Sequence, residues 1–345
     1  MHLIIDIRSP SPVDSIIIRY ASGWVDLWKS RHPSDNISYL HFDHQNSPPN
    51  GNSIIAKSSW YGRPKPLSTS GGHEVFRCIN FSQYPPYDLW VETISHIFDH
   101  ASILYPRQES SWIQELFRKN IKTRTIRKWG RIIVPSLTLW QEAVDILHVR
   151  ESDINIIPYI ALAKEPWDSQ ILHQLSLSGK YWLYDGSYGS EANIHGLLRG
   201  YKAYQDLGGT HTLILMWQPP DTELRRTSEL IQKMNLIGHV RIIGVLDTKS
   251  QETIYANASG WLYIGAYYAG GPRIELARSY TIPLLISDMS SLSDYHEGSL
   301  TIHPNHLGAL GEYLKKLETQ NTSPKRKITN EEIIKAYEKL IAEKR

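Results

Sequence analysis

The sequence predicts an α/β fold of two doubly wound lobes, and two observations lead to this prediction. Short apolar runs, typical of strands buried on both faces, alternate with helical patterns along the second half, and a similar alternation recurs in the first half. The length of 345 residues suits two domains of ordinary size. Because loops at the carboxyl ends of parallel strands form the usual ligand sites, we expect the lobes to face each other across a ligand-binding cleft.

The second half gives the clearer pattern. The run Thr-Leu-Ile-Leu-Met-Trp at 212–217 is apolar after its first residue, as expected of a buried strand. Apolar residues recur at helical spacing from Ile194 to Tyr204, and Gly208 and Gly209 end that helix. We predict strands at 180–185, 212–217, 240–245, 260–264, 283–287 and 300–302, and helices at 194–207, 222–236, 250–258 and 272–279.

The first half has weaker patterns. Thr138 and Gln141 have the spacing of a capping box and predict a helix start at that position. The segment 45–72 is rich in Ser, Pro, Asn and Gly and predicts a long irregular loop, of the kind that is often functional. Predicted strands span 3–7, 37–42, 75–80 and 132–134, and predicted helices span 14–29, 111–128 and 138–147.

These elements suggest three parts of the chain. We expect an N-terminal lobe at 1–155, a C-terminal lobe at 156–325 and a C-terminal helix at 326–345. Thr329 and Glu332 form a second capping-box pair, which predicts where the last helix begins. Its apolar residues share one face, so it must pack on another element, and the first lobe is the candidate.

Charge and cysteine content exclude several classes of protein. The 37 Lys and Arg residues nearly balance the 35 Asp and Glu residues, and a net charge of +2 gives no reason to expect nucleic-acid binding. The single cysteine, Cys78, excludes a disulfide framework and a zinc site built on several thiolates. It is typical of a reducing compartment, so we expect a cytoplasmic location.

Motif absences narrow the class further. The sequence has no G-x-x-x-x-G-K-[ST] phosphate loop and no G-x-S-x-G nucleophile elbow. Residues 8–12 read Arg-Ser-Pro-Ser-Pro where a nicotinamide dehydrogenase would carry G-x-G-x-x-G. No D-x-D stands at a predicted strand end, which disfavours the metal-dependent, single-lobe design for sugar transfer.

The segment 264–277 carries the most chemistry. A predicted strand ends there, Gly270 and Gly271 allow close backbone approach to a ligand, and Pro272 occupies the first helical position. The first helical turn would offer N–H groups and a positive dipole end to an anion, with Arg273 beside it. Glu275 could accept hydrogen bonds from a ribose diol. The alternative is a tight connection in which Glu275 only complements the helix dipole.

The same segment resembles a known family. Residues 267–276 followed by 281–288 resemble the patterns E-G-F-G-L-P-x-x-E-A and G-x-P-V-V-x-S-D of the retaining, two-Rossmann-lobe (GT-B) glycosyltransferases of family 4. Segments 131–136 with 154–158, and 240–245 with 254–258, are similar to further family patterns in the same order. The matching positions in the first two patterns are Gly270, Pro272, Glu275, Pro283, Ser287 and Asp288.

The resemblance implies roles for matched residues and no metal or cofactor. Glu275 would hold the ribose of a nucleoside-diphosphate sugar, and the backbone at Gly270, Gly271 and Pro272 would face the diphosphate and sugar. The backbone at Gly244, Val245 and Leu246 would meet the nucleobase.

Two positions depart from the family pattern. Tyr267 stands where the family has the first glutamate of its E-x7-E pair. Gly186 and Ser187 open the segment that aligns with the family's phosphate-binding G-R…K clamp, but neither the Arg nor the Lys is present. We therefore expect Arg273 to supply the missing positive charge.

Two segments of the first lobe carry further candidates. Residues 93–106 resemble the family segment T-I-H-D…Y-P, which faces the donor sugar, and give His96, Asp99 and His100 as candidate catalytic residues. An i,i+4 metal pair of His96 and His100, or structural histidines, are the alternatives. Seven basic residues form either a solvated face or a surface for an anionic membrane or an acidic acceptor: Arg118, Lys119, Lys122, Arg124, Arg127, Lys128 and Arg131.

We therefore expect a glycosyltransferase. It would move a hexosyl unit from a nucleotide sugar to a glycan or lipid-linked acceptor, without a metal, and the resemblance implies retention of anomeric configuration. The alternative is a catalytically degenerate, glycosyltransferase-like subunit that binds sugar or nucleotide or supports an active partner.

Overall fold

The chain folds into two compact α/β units. The computed structural model describes residues 1–8, 15–42, 51–56, 76–81, 92–100, 104–105, 131–164, 166–177, 179–216, 219–244, 246–268, 271–319 and 325–343. Unit 1 comprises Met1–Ile103, Ser110–Ala161 and Ile328–Arg345, and unit 2 comprises Leu104–Glu109 and Leu162–Lys327.

Unit 1 is built on a parallel sheet. Its described strands lie in the order β3-β2-β1-β4-β5-β6-β7, so the chain first adds strands on one side of β1 and then on the other. Leu3, Ile4 and Ile5 of β1 are fully buried, as expected of a central strand covered on both faces. The strands are β1 (His2–Asp6), β2 (Asn36–Phe42), β3 (Asn52–Ala56), β4 (Phe76–Asn80), β5 (Glu92–His96), β6 (Arg131–Val134) and β7 (Ile154–Ile156).

Three described helices belong to unit 1, and the last of them comes from the end of the chain. They are α1 (Ser15–Arg31), α2 (Leu137–Asp145) and α9 (Asn330–Ala342). Helix α9 begins with the predicted capping box of Thr329 and Glu332, which the structure confirms. The Tyr337 ring of α9 meets the Trp24 ring of α1 edge-on at 5.3 Å, so α9 packs on α1 through buried aromatic side chains.

Unit 2 repeats the same plan. Its described strands are all parallel and lie in the order β10-β9-β8-β11-β12-β13. The strands are β8 (Tyr181–Tyr184), β9 (Thr212–Met216), β10 (Val240–Ile243), β11 (Gly260–Tyr263), β12 (Leu284–Ser287) and β13 (Leu300–Ile302). The described helices are α3 (Ser169–Gln174), α4 (Ile194–Asp206), α5 (Asp221–Lys233), α6 (Thr248–Asn257), α7 (Arg273–Ser279) and α8 (Leu310–Leu317).

The prediction of two doubly wound parallel sheets is confirmed. Each sheet reverses its winding direction between two central strands, β1 and β4 in unit 1 and β8 and β11 in unit 2. In such sheets, ligands bind outside the carboxyl ends of the strands at this switch point. The loops after β8 and β11 are therefore the first place to look for a site in unit 2.

Two predictions for unit 1 need correction, and one strand was missed. The segment 45–72 is not entirely irregular, because β3 lies within it as an edge strand paired with β2. Strand β5 was not predicted, since its sequence Glu-Thr-Ile-Ser-His is mostly polar although four of its five residues are buried. Helix α2 is capped by Ser136, whose Oγ accepts a hydrogen bond from the Leu139 N–H at 3.2 Å, and Thr138 already lies inside the helix.

Candidate functional site

The loop after β8 and the segment after β11 meet at the switch point of unit 2. The Ala266 N–H donates to the Glu191 carbonyl at 2.7 Å, which joins the two connections directly. The Asn193 side-chain amide donates to the Ile264 carbonyl at 3.4 Å. These bonds place the predicted residues Gly186 and Ser187 in the same region as the segment that leads into α7.

Gly186 is required by its neighbours. A Cβ at this position would lie 2.7 Å from the Tyr184 hydroxyl oxygen and 2.8 Å from Cε2 of Tyr263, closer than real Cβ contacts come. The Tyr184 hydroxyl donates to the carbonyl of Ser187 at 2.6 Å, and the Ser187 Oγ lies 3.5 Å from the Tyr263 hydroxyl. The loop after β8 thus contacts Tyr184 and Tyr263, the last residues of the central strands β8 and β11.

Three tyrosines fill the space next to these strand ends. The Tyr263 ring stacks on Tyr184 with ring centres 5.9 Å apart and meets the Tyr268 ring edge-on at 5.0 Å. Burial raises the pKa of Tyr184 and Tyr268 well above the ordinary value, so both phenols stay protonated. Their hydroxyl groups donate to the carbonyls of Ser187 and Gly271 and add no negative charge to the site.

Arg273 is held by an acidic residue that the sequence analysis did not single out. Its Nε donates to Asp185 Oδ1 at 3.0 Å, and the Tyr255 hydroxyl donates to Asp185 Oδ2 at 2.6 Å. The Arg273 side chain is 25% exposed and that of Asp185 is 13% exposed. A detectable signal existed, because Asp185 directly follows a fully buried strand at the carboxyl edge, where parallel sheets place ligand-binding groups.

The first turn of α7 is already hydrogen-bonded in part. The Ile274 N–H donates to the Tyr268 hydroxyl at 3.0 Å, and this hydroxyl donates to the Gly271 carbonyl at 3.0 Å. The Glu275 N–H donates to the Pro272 carbonyl at 3.0 Å. Two of the amides that the sequence offered to an anion therefore have partners within the protein.

Glu275 is a buried carboxylate with three donors. Arg278 Nη1 lies 2.9 Å and the Tyr295 hydroxyl 3.1 Å from its Oε1, and Arg326 Nη1 lies 3.1 Å from its Oε2. The side chain of Glu275 is 5% exposed. A carboxylate has about four acceptor positions, so Oε2 retains acceptor capacity beside Arg326.

The other predicted donor-binding residues are placed in part. Gly244 and Leu246 follow β10, and nothing lies within 4 Å of a Cβ built on Gly244. Gly271 adopts a positive φ of 56°, a conformation that favours glycine. Val245 and Gly270 lie outside the described residues, so their predicted roles are not addressed.

His96 of unit 1 lies among aromatic rings. It ends β5, and its ring stacks on Phe98 with centres 4.6 Å apart and on Tyr159 with centres 5.9 Å apart. Neither ring nitrogen has a hydrogen-bond partner in the part of the chain that the structure describes, and burial lowers the pKa of His96 from 6.5 to about 3. His96 is therefore a neutral imidazole at physiological pH.

His100 and Asp99 follow in an irregular segment. His100 is fully buried, and its Nδ1 lies 2.9 Å from Oε2 of Glu142 on α2. Asp99 is half-buried. The segment after β5 is not helical, so His96 and His100 do not form the i,i+4 pair on a helix face that the metal alternative requires.

The basic segment lies almost wholly outside the described residues. Its last member, Arg131, begins β6 and donates from Nη1 to the Leu340 carbonyl of α9 at 2.7 Å. Arg131 therefore serves packing within unit 1. The described helices include none that is long and apolar enough to cross a membrane.

Comparison with solved structures supplies the fold class. HepE from Anabaena in complex with UDP-glucose superposes with a TM-score of 0.71 at 12% identity, over 99% of this chain and 100% of that chain. Sucrose-phosphate synthase from Thermosynechococcus elongatus gives a TM-score of 0.65 at 14% identity, over 93% and 90%. WaaG, a glycosyltransferase involved in lipopolysaccharide biosynthesis, gives 0.63 at 11% identity, over 99% and 96%.

These similarities define the architecture. With two Rossmann-like units and these structural relatives, the chain has the GT-B fold of glycosyltransferases. No protein-family model matches the sequence, and no curated protein matches it either.

Proposed function

We propose that this protein is a glycosyltransferase that moves a hexosyl unit from a nucleoside-diphosphate sugar to a glycan or lipid-linked acceptor. The observation that carries the proposal is the placement of Asp185, Arg273 and Glu275 at the switch point of unit 2 in a chain with the GT-B fold. A relative with this fold is described in complex with UDP-glucose.

Glu275 is proposed to bind the ribose. It is fixed in the first turn of α7 by Arg278 and Tyr295 on Oε1, so Oε2 is the atom that a ribose hydroxyl would reach. Because the carboxylate is covered, ribose binding requires Arg326 to share or yield Oε2. The nucleobase would then lie near Gly244 and Leu246, which follow β10, three strands away from β11 in the same sheet.

Arg273 is proposed to stabilise the diphosphate leaving group. Charge that develops on the departing phosphate oxygens is best stabilised by donors fixed in advance, and the Arg273 guanidinium lies at the start of α7, beside the residue that follows β8. The backbone at Gly271 and Pro272, and the phenol of Tyr268, lie beside it. We propose a reaction without metal or cofactor, since these groups and the resemblance to the GT-B family supply that role, and the same resemblance implies retention.

Unit 1 is proposed to take part through the segment after β5. Among the described residues, neither nitrogen of the buried His96 ring has a partner, so a hydroxyl group that reached the ring would find both a donor and an acceptor. Asp99 and His100 are the other candidates in this segment. Contact of the basic segment 118–131 with an anionic acceptor or membrane stays part of the proposal, as does a cytoplasmic location.

One observation favours a second candidate function. Asp185 neutralises Arg273, and the Tyr268 phenol occupies an amide of the first turn of α7. Together with Tyr267 in place of a glutamate, these contacts suit a non-catalytic subunit that binds sugar or nucleotide or supports an active partner.

Turnover and binding measurements separate the two functions. The full chain is incubated with UDP-, GDP- and ADP-hexoses and a panel of glycan and lipid-linked acceptors, and the released nucleoside diphosphate is quantified. Calorimetry with UDP, GDP and ADP at millimolar concentration runs in parallel. Release of one of the three nucleoside diphosphates that depends on the acceptor supports a transferase. Binding of a nucleotide without release supports the second candidate. If the protein shows no binding and no release, the proposal is contradicted.

A further inference from the structure

The ion pair between Asp185 and Arg273 connects the loop after β8 to the start of α7 at the switch point. Asp185 directly follows β8, and Arg273 opens α7 after β11. The Nε of Arg273 is 3.0 Å from Oδ1 of Asp185. Burial raises the pKa of Tyr184, Tyr255 and Tyr268, and the pair lies within electrostatic reach of all three, since Asp185 adds to each rise and Arg273 opposes it.

From this geometry we propose that Asp185 sets the anion affinity of the site, acting as an internal substitute for phosphate on Arg273. This inference rests on the proposed function, because it assigns the diphosphate of the donor as the ligand that competes with Asp185. The proposal makes Asp185 a residue that determines affinity and Tyr255 a residue that positions Asp185. The sequence patterns suggested neither role.

The carboxylate has the chemistry of such a substitute. Carboxylate and phosphate oxygens bind the same guanidinium N–H groups, so one anion can replace the other on Arg273. While Asp185 is in place, it cancels the positive charge that would attract a diphosphate, and it repels the phosphate oxygens that approach. Affinity is therefore lower than an unopposed arginine at this position would give.

A second donor also holds Asp185 in place, so a phosphate group must compete with a fixed carboxylate for Arg273. The Tyr255 hydroxyl donates to Oδ2 at 2.6 Å, and Tyr255 is fully buried on α6. Both charged side chains retain partial exposure, 25% for Arg273 and 13% for Asp185, so a ligand can reach the pair. A carboxylate held in place beside an accessible arginine is suited to tune binding.

The test replaces the charge and keeps the shape. In Asp185→Asn, the amide oxygen can still accept from Arg273 Nε, while the negative charge is lost. The matched control is Asp206→Asn, which removes the same charge from an exposed pair with Lys202 at the far end of α4. Arg273→Gln and the double variant complete a cycle that isolates the coupling between the two residues.

Calorimetry with UDP and with inorganic pyrophosphate, at two salt concentrations, gives the readout. We expect UDP affinity to rise about tenfold in Asp185→Asn, as removal of one nearby negative charge predicts, with a steeper loss of affinity in salt. The control should stay within about twofold of wild type, as surface substitutions usually do. The gain should disappear in the double variant.

The failures of the two proposals are distinguishable. If wild type binds UDP and Asp185→Asn binds it no more tightly, the role of Asp185 is overturned and the proposed function stands. If no nucleotide binds to the wild-type protein, the proposed function fails, and the pyrophosphate titrations then test the role of Asp185. A gain in pyrophosphate affinity in Asp185→Asn that depends on Arg273 supports this role, and the absence of a gain overturns it.

Discussion

Arg326 Nη1 lies 3.1 Å from Glu275 Oε2, and this contact joins α7 to the segment where the chain leaves unit 2. Unit 2 ends at Lys327, so Glu275, the proposed ribose-binding residue, contacts Arg326, which lies one position before that boundary. Ser279, at the other end of α7, donates from Oγ to the carbonyl of Leu162, the residue at which the main segment of unit 2 begins. Helix α7 therefore contacts residues at or next to both ends of the main segment of unit 2, 162–327.

Glu275→Ala is expected to destabilise the protein strongly. The substitution removes the carboxylate that Arg278 and Arg326 share, and loss of one partner from a buried ion pair costs about 3 kcal/mol. The free energy of unfolding, measured by urea denaturation, checks this value. The control is Glu331→Gln, whose exposed pair with Lys335 should leave the free energy of unfolding almost unchanged.

Glu275→Gln separates stability from ligand binding. The amide keeps an acceptor oxygen and the shape of the side chain, so we expect a smaller loss of stability than in the alanine variant. Calorimetry should show weaker binding of UDP, because a ribose hydroxyl donates more strongly to a carboxylate than to an amide. Unchanged UDP affinity in a folded Glu275→Gln protein would remove the ribose assignment.

Gly186→Ala is expected to destabilise unit 2 by about 2 kcal/mol, the usual cost of overpacking. Its Cβ would overlap the hydroxyl of Tyr184 and the ring of Tyr263, which are buried and cannot move aside cheaply. Gly179→Ala is the matched control, since nothing lies within 4 Å of a Cβ there. Equal unfolding midpoints for the two variants would contradict the packing described at the switch point.

The sequence predicted much of unit 2, and physical reasons explain what it missed. Buried parallel strands are continuous apolar runs, so the predicted strand at 212–217 agrees with β9 to within one residue. Strand β3 lies at the sheet edge, where Ile55 is 65% exposed, and its apolar pattern is correspondingly weak. Strand β5 is central, but its buried residues Thr93, Ser95 and His96 are polar, so its sequence lacks the apolar run that predicts a buried strand.

The candidate site was predicted only in its local part. The Gly-Gly-Pro turn, Arg273 and Glu275 belong to one segment whose spacing suggests anion binding. Asp185 lies 88 residues from Arg273, and only the topology of the sheet brings the two together. Contacts of this kind have no signature in the spacing of residues, and the same holds for Arg326 on Glu275.

His96 is expected to make stability depend on pH in the acidic range. Burial lowers the pKa of folded His96 to about 3, whereas the unfolded chain binds this proton near pH 6.5, so stability should fall as pH decreases from 6.5 towards 3. The slope attributable to one proton is about 1.4 kcal/mol per pH unit. Urea denaturation at several pH values should show a shallower dependence in His96→Phe, and equal slopes would contradict the burial of an unpaired imidazole.

Ser136→Ala is expected to destabilise unit 1 by about 1 kcal/mol, the usual value for loss of an N-cap. The hydroxyl of Ser136 accepts from the Leu139 N–H, and alanine cannot replace that bond. Thr138→Ala should cost less, because Thr138 lies within the helix. Thermal unfolding of both variants shows which substitution costs more stability. A larger loss of stability in Thr138→Ala would support the capping box of Thr138 and Gln141 that the sequence suggested.

Hydrogen–deuterium exchange of the full chain with and without nucleotide tests the central claim most directly. The claim is that a nucleoside diphosphate binds at the switch point of unit 2, between the loop after β8 and the segment that leads into α7. With UDP, GDP or ADP at millimolar concentration, we expect one nucleotide to slow exchange in peptides covering 185–193 and 264–276 together. Protection in neither segment with any of the three, or protection confined to other parts of the chain, would contradict the account.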